Sequence, residues 1–239
     1  MPVRVVLVRP EHSMNVGAAA RLARNTGLEG LDLVAPGDWR TIECWRTAWG
    51  AHELLEQARV HASLAQALAE SCLAVGFSRR DATGSAVDVR EVAAEVAAVE
   101  ARGRVSLVFG PESSGLTSEE LTLCGRTAFI PSHPAQPSFN LSHAVGIAAY
   151  EVLRSRDEGA SARPALATHS EKEATLALMW EGLRAMGALG DARRQVYERL
   201  WRGLIQRMDL TPREVRMLSH LARRMRAVAE EASQEAHPS

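Results

Sequence analysis

Three short stretches concentrate the groups that could do chemistry. The first, NVGAAAR at residues 15–21, follows an apolar run and opens a helix-period pattern. Asn15 is placed to cap that helix, Gly17 and the alanines let backbone amides face an anion, and Arg21 adds a charged fork further along. An ordinary N-cap followed by a surface arginine fits the same residues. The second stretch, FGPESSGL at 109–116, sets two glycines five apart behind another apolar run, which permits a tight turn and close approach of a ligand to the backbone. It is neither GxGxxG nor a phosphate loop, because no Lys-Ser or Lys-Thr pair follows Gly115, and it lacks the GxSxG spacing of a hydrolase elbow. Glu112 within it is either a site carboxylate or a solvated turn residue. The third, IPSHPAQPSFNLSHA at 130–144, is stiffened by three prolines and presents Ser138, Asn140 and Ser142 at the start of an apolar helix. Capping needs one of them, not three. Ser142 and His143 do not make a nucleophile and base, since adjacent helical residues point apart and no acid completes a triad.

These stretches need a scaffold, and the β-branched runs supply it. Val3 to Val8, Leu31 to Val34, Cys72 to Phe77, Val105 to Phe109 and Thr127 to Ile130 read as buried strands. Helix-period patterns lie between them, near 15–26, 52–57, 63–70, 89–100 and 117–124, and another runs from Leu141 to Arg154. Strands alternating with helices imply an α/β fold, a parallel sheet with helices on both faces. Ligands on such sheets bind beyond the carboxyl ends of the strands, where all three stretches fall. Around 155–169 the composition turns small and polar, with Gly159 and Pro164, as in a linker. Beyond it the patterns are helical. Ser170 to Glu173 reads as a capping box opening a helix to about Met186, a second helix spans Asp191 to Met208, and Thr211 to Glu214 is a further box with proline at the first helical position. The organisation expected is a catalytic domain over 1–156, a linker over 157–169 and a helical, basic extension over 170–232.

Composition narrows the class. The chain has 239 residues, 46% of them hydrophobic, enough for one mid-sized domain with an appendage. Cys44, Cys72 and Cys124 are 28 and 52 residues apart, so no CxxC pair exists, and neither a disulfide framework nor a metal site is expected. The opening MPVRVVLVRPEHS is interrupted by Arg4 and Arg9, which suits a strand and not a signal peptide. No apolar run approaches the roughly 18 residues of a membrane span, so a cytoplasmic protein with no membrane partner is expected. The net charge of −1 averages two unequal parts: residues 193–226 hold ten arginines against Glu198, Asp209 and Glu214, a balance of +7, and the remainder carries −8. Such a stretch is either a solvated face balanced by acids elsewhere or a binder of phosphate backbone, and the second reading is preferred. Trp180, Tyr197 and Trp201 sit at helical positions and read as core in preference to base-stacking residues. Of the 28 basic residues only Lys172 is lysine.

Taken together, N-x-G-x-x-A-R, F-G-x-E-x-x-G-L and P-S-F-N-L-S-x-A, in this order and spacing, resemble the SpoU (TrmH-like) branch of the SPOUT RNA methyltransferases, over residues 3 to about 154. The resemblance implies a deep trefoil knot at the C-terminal end of the sheet, against the general rule that chains do not thread. It implies S-adenosyl-L-methionine as cofactor, held bent and released as S-adenosyl-L-homocysteine, with no metal, and a homodimer whose knotted faces meet. By position the cofactor residues would be Phe77, Ser78, Arg79, Gly110, Ile130, Pro137, Ser138 and Phe139, acting mainly through backbone groups. Phe77 departs from the family, where threonine is frequent. Arg21 would be the catalytic arginine, with Ser138, Asn140, Asn15 and Glu112 as the other polar site residues. The extension resembles, in its three-helix plan and in Pro212 to Glu214, that of a subfamily that methylates the ribose 2′-oxygen of nucleotide 32 in the tRNA anticodon loop. Its RNA contacts would be Arg193, Arg194, Arg202, Arg223 and Arg224, together with Arg21. The alternatives are ribose methylation of rRNA or of the tRNA wobble nucleotide on the same scaffold, and a catalytically silent RNA-binding protein.

Overall fold

The apolar runs pair as a seven-stranded, all-parallel sheet in a computed structural model that describes residues 3–79, 86–156, 165–188 and 194–235. The strands are β1 (Val3–Val8), β2 (Gly30–Val34), β3 (Arg59–His61), β4 (Ser71–Phe77), β5 (Val87–Asp88), β6 (Arg104–Phe109) and β7 (Gly125–Phe129), in the spatial order β3-β2-β1-β6-β4-β7-β5. Helices α1 (Ser13–Asn25), α2 (Ile42–Thr47), α3 (His52–Glu56), α4 (Leu64–Leu68), α5 (Val89–Glu100), α6 (Ser118–Cys124) and α7 (Leu141–Ser155) are followed by α8 (His169–Ala185), α9 (Arg194–Arg207) and α10 (Pro212–Glu235). Side-chain alternation sorts the layers. Val3, Val5 and Leu7 of β1 pack with α1, α3, α5 and α7, whereas Val6 and Val8 pack with α4 and α6 on the opposite face. Helices therefore cover both faces. No helix among the described residues is long and apolar enough to cross a membrane.

Three elements lie outside the sequence reading, each for a local reason. β3 is a three-residue edge strand whose residues are exposed or half-buried, and β5 is only two residues long, so neither carries an apolar run. α2 buries Cys44 alone and is held at its start by Thr41, whose hydroxyl accepts from the Cys44 amide. β7 begins two residues before the expected Thr127, because Gly125 at φ +75° ends α6 in the left-handed region and leads straight into the strand.

The C-terminal helices form their own apolar cluster of Ala167, Leu176, Ile205, Leu210 and Val215, with Trp180 and Trp201 packed against it as the core reading expects. Tyr197 is 39% exposed and stands apart from it. The first capping box is displaced from the expected Ser170–Glu173: Thr168 is the N-cap, accepting from the Glu171 amide at 3.2 Å while the Glu171 carboxylate takes the Thr168 amide at 2.8 Å. Glu173 is thereby left to reach Arg202 at 3.2 Å and Gln206 at 2.8 Å. The second box, Thr211 with Glu214, forms as expected at 2.7 and 3.3 Å.

These helices meet the sheet at the amino ends of its strands. The Ser170 amide donates to Ala69, just before β4; Arg102, just before β6, pairs with Asp209 at 3.2 Å; and Gly125, opening β7, lies against Gln206. Lys172 completes the junction. A register slip between Ser71 and Leu73 leaves Cys72 outside the ladder to β6, and the buried ammonium sits 3.5 Å from the Cys72 carbonyl and 3.4 Å from that of Gln206, in the last turn of α9.

Candidate active site

At the other end of the sheet the loops that follow β4, β6 and β7 converge on one pocket of about 430 Å³, so that two of the three chemical stretches, 109–116 and 130–144, line it and 15–21 does not. It is lined after β4 by Phe77, Ser78 and Arg79, after β6 by Phe109 to Ser118, and after β7 by Ile130, Pro137, Ser138 and Phe139. All eight residues assigned to a cofactor in the sequence are among them, as is Glu112. Phe77 and Phe109, at the ends of adjacent strands, stack with centroids 4.6 Å apart and planes 6° from parallel, giving one wall an apolar surface. Gly110 shows why the second loop needs glycine. A Cβ there would fall 2.3 Å from the Gly115 carbonyl carbon and the Leu116 nitrogen, so a side chain would prevent the loop from closing on itself.

Glu112 does not stand free in this loop. Its carboxylate accepts from the Glu11 amide at 2.9 Å, the His12 amide at 3.3 Å and the Asn15 side-chain amide at 2.6 Å. Burial pushes its pKa up, but the Asn15 amide and these backbone donors outweigh that and hold it below the ordinary carboxylate value. Asn15 is consequently not the cap of α1. His12 occupies that position without a side-chain cap bond, and Asn15 spends its amide on Glu112. Asn140 is a cap, its Oδ1 accepting from the Ser142 amide at 2.9 Å and the Ser142 hydroxyl at 2.8 Å. Among the described residues no three His, Cys, Asp or Glu side chains converge as a metal site would need.

Arg21, Asn15 and Asn140 do not line the pocket. Arg21 is exposed on α1 and forms no ion pair with a carboxylate among the described residues. Of the arginines expected to touch RNA, Arg193 lies outside the described residues, and of Arg194 only its place at the start of α9 is described. Arg202 is engaged by Glu173, and Arg224 lies 3.5 Å from Glu231. Arg223 is exposed, and with it Arg199, Arg207, Arg213 and Arg216, four arginines of the basic stretch outside the expected RNA contacts. None of these five pairs with a carboxylate among the described residues. Arg213, Arg216, His220 and Arg223 recur at helical spacing along one side of α10, the pattern that distinguishes them from their paired neighbours.

The model of the SpoU rRNA Methylase family matches residues 2–150, most of the chain and all three loops of the pocket. The chain belongs to that family. Among curated relatives, the tRNA (cytidine/uridine/adenosine-2'-O-)-methyltransferase TrmJ of Pseudomonas aeruginosa is 42% identical over 153 residues, 63% of this chain and 60% of that protein. The matched segment thus spans about three-fifths of the curated relative's length. Among solved structures, TrmJ from Z. mobilis superposes with a TM-score of 0.79 at 29% identity, covering 94% of this chain and 99% of that one. A more distant match is an AdoMet-bound rRNA methyltransferase from Sinorhizobium meliloti, at TM-score 0.52 and 26% identity over 64% of this chain and 56% of that one. Within the SpoU family, the likeness to the Z. mobilis chain extends through the C-terminal helices, beyond the reach of the family model.

Proposed function

We propose that the chain is an S-adenosyl-L-methionine-dependent RNA ribose 2′-O-methyltransferase, acting in the cytoplasm on cytidine or uridine, or both, at nucleotide 32 of the tRNA anticodon loop. The observation that carries this reading is the convergence of the second and third family loops, with the end of β4, on a single pocket, to which the first loop is tied by the bond from Asn15 to Glu112. Its volume is within the ~300–1,000 Å³ usual for cofactor sites. Its lining fits the cofactor: a stacked aromatic wall for an apolar ring, the backbone of Ser78, Gly110, Ile130 and Pro137 to Phe139 for polar edges, and a loop closed by glycine. When bound, the cofactor supplies an activated methyl on a sulfonium sulfur, with a neutral thioether as leaving group.

What remains for the protein is to place and activate the ribose hydroxyl, a task of positioning that needs no metal. Arg21 anchors the phosphate next to the target and orients the 2′-hydroxyl. A guanidinium stays protonated and is a poor base, so the proton leaves to phosphate or water. Glu112 and Asn15 hold the start of the helix that carries Arg21, Ser138 hydrogen-bonds near the acceptor, and Asn140 starts α7 beneath it.

Three further features belong to the same reading. α6 packs on one face of the sheet and α7 on the other, and the segment 130–139 that joins β7 to α7 lines one pocket with the loops after β4 and β6, which supports a trefoil knot there. Met14, Tyr150 and Leu153 are exposed apolar residues on α1 and α7, which pack against each other, and this supports a homodimer through that surface. The division into a catalytic domain over 1–156 and a basic helical extension over 170–232 that grips RNA rests on the separate apolar cluster and on the five arginines without a carboxylate partner among the described residues; of the linker expected over 157–169, residues 157–164 lie outside the described residues. Transfer of tritiated methyl from S-adenosyl-L-methionine to an unmodified tRNA transcript tests the reading. Incorporation is expected; cofactor binding by calorimetry without incorporation into tRNA or rRNA overturns it.

A further inference from the structure

The loop at the end of β1 is fastened to the pocket by more than Glu112. Arg9 lies in the left-handed region at φ +46°, a conformation that costs a residue with a side chain free energy and that glycine adopts readily. Its guanidinium grips Glu120 of α6 with both forks, Nη1 to Oε1 at 2.5 Å and Nη2 to Oε2 at 3.1 Å. Glu120 is itself fixed by the Thr117 amide at 2.8 Å in the capping box of α6. Between these anchors Ser113 donates to the Glu11 carboxylate, and Glu112 takes the amides of Glu11 and His12 and the side chain of Asn15. Apart from the Thr117 bond, each of these joins the segment before or within the first turn of α1 to the segment that lines the pocket and opens α6.

The Arg9 and Glu120 side chains are 43% and 13% exposed, so the pair is half in water and adds little to global stability. A strained turn that keeps an arginine where glycine would sit more easily, for a pair of small stabilising value, is instead suited to fixing geometry. We propose that Arg9 is a positioning residue: its pair with Glu120 fastens the first turn of α1 to the pocket-lining loop, so that filling the pocket and placing Arg21 become one event. The second half of this rests on the methyltransferase reading; the first half does not.

Arg9→Gly separates the two roles of the residue, because glycine takes φ +46° without strain while the guanidinium is lost. Hydrogen exchange of residues 9–16 is followed in the full chain, with and without S-adenosyl-L-methionine. In the natural protein the cofactor is expected to slow exchange there. In Arg9→Gly ligand-free exchange should be about tenfold faster and the cofactor-dependent slowing lost, with cofactor affinity changed less than about twofold. Arg9→Lys, which keeps the charge but not the fork, should fall between them. With tRNA, kcat of Arg9→Gly should drop about tenfold at unchanged KM for the cofactor. Protection in Arg9→Gly equal to that of the natural protein overturns the clamp, and natural protein that binds cofactor without slowing at 9–16 overturns the coupling. If the natural protein binds no cofactor the methyltransferase reading falls, and ligand-free exchange alone decides the clamp.

Discussion

The two ends of the sheet solve different problems with different residues. At the carboxyl end the pocket is built from glycine, proline, serine and stacked phenylalanines, with the one carboxylate among its described lining residues, Glu112, spent on fastening neighbouring backbone. At the amino end the helices α8–α10 are joined to the sheet by charge, Lys172 on the Cys72 carbonyl and Arg102 on Asp209, while Glu173 on Arg202 ties α8 to α9. Strands of six or seven residues keep these ends about 20 Å apart. Groups meant for a ligand are held by backbone geometry, which survives changes of charge. Groups meant to hold one body to another are ionic, and they break when a single partner is removed.

If that contrast holds, changes at the pocket end should alter turnover without altering stability, and changes at the amino end should do the reverse. The largest effect is expected for Arg21→Ala, which should lower methyl transfer by about 1,000-fold, comparable to loss of a charge-stabilising donor, with cofactor affinity by calorimetry largely intact. Retained activity would remove Arg21 from the mechanism. Next comes Lys172→Ala, which leaves a cavity and two carbonyls without their ammonium and should cost about 2–4 kcal/mol in urea unfolding. Lys172→Met keeps the volume and removes a buried charge, so it should cost markedly less. Equal losses for the two would show that packing alone, not charge, joins the helices to the sheet.

A smaller effect is expected from replacing Arg213, Arg216 and Arg223 together by glutamine. RNA affinity should fall by one to two decades, about 2 kcal/mol, and the slope of log affinity against log salt should drop by about three, as for three lost phosphate contacts. Cofactor binding at the far end should not change. An unaltered slope would mean that this face of α10 does not meet RNA. The smallest effect concerns pH. His169 is buried, and burial holds its pKa below the ordinary value of 6.5, against the Glu173 carboxylate and the Gln206 side chain, which favour its charge; Lys172 and Arg202 act with burial. The unfolded chain therefore takes up this proton first as pH falls, so stability is constant above pH 6.5 and declines below it, by about 1 kcal/mol or less near pH 5.5. His169→Gln should flatten that decline in urea midpoints; an unchanged decline would place the titrating group elsewhere.

Much of the architecture was legible in the chain because buried parallel strands write themselves as β-branched runs. Val3 to Val8 and Val105 to Phe109 needed no tertiary information. β3 and β5 were illegible for the opposite reason, since short edge strands bury too little to impose an apolar pattern. The pocket lining was legible through two of the three motifs, 109–116 and 130–144, the first of which needs Gly110 for the loop to close on itself. The fastening of Glu112 to Glu11, His12 and Asn15 was not, because it joins residues about a hundred positions apart and leaves no periodicity. The basic stretch was visible as a sum of charges, but which arginines are spent inside the protein depends on partners such as Glu173, which only the packing of α8 against α9 reveals. Even the displaced capping box follows this rule. Thr168 and Ser170 are equally good caps by type, and the choice falls to the one that frees Glu173 for α9.

The most direct test of the account is to incubate the purified full chain with S-adenosyl-L-methionine and an unmodified tRNA transcript, then map the product by nuclease digestion and mass spectrometry. A single ribose-methylated cytidine or uridine at position 32, absent with Arg21→Ala, is the predicted result. Methylation of a base, at the wobble position alone, or of no nucleotide in a protein shown to bind the cofactor would contradict it.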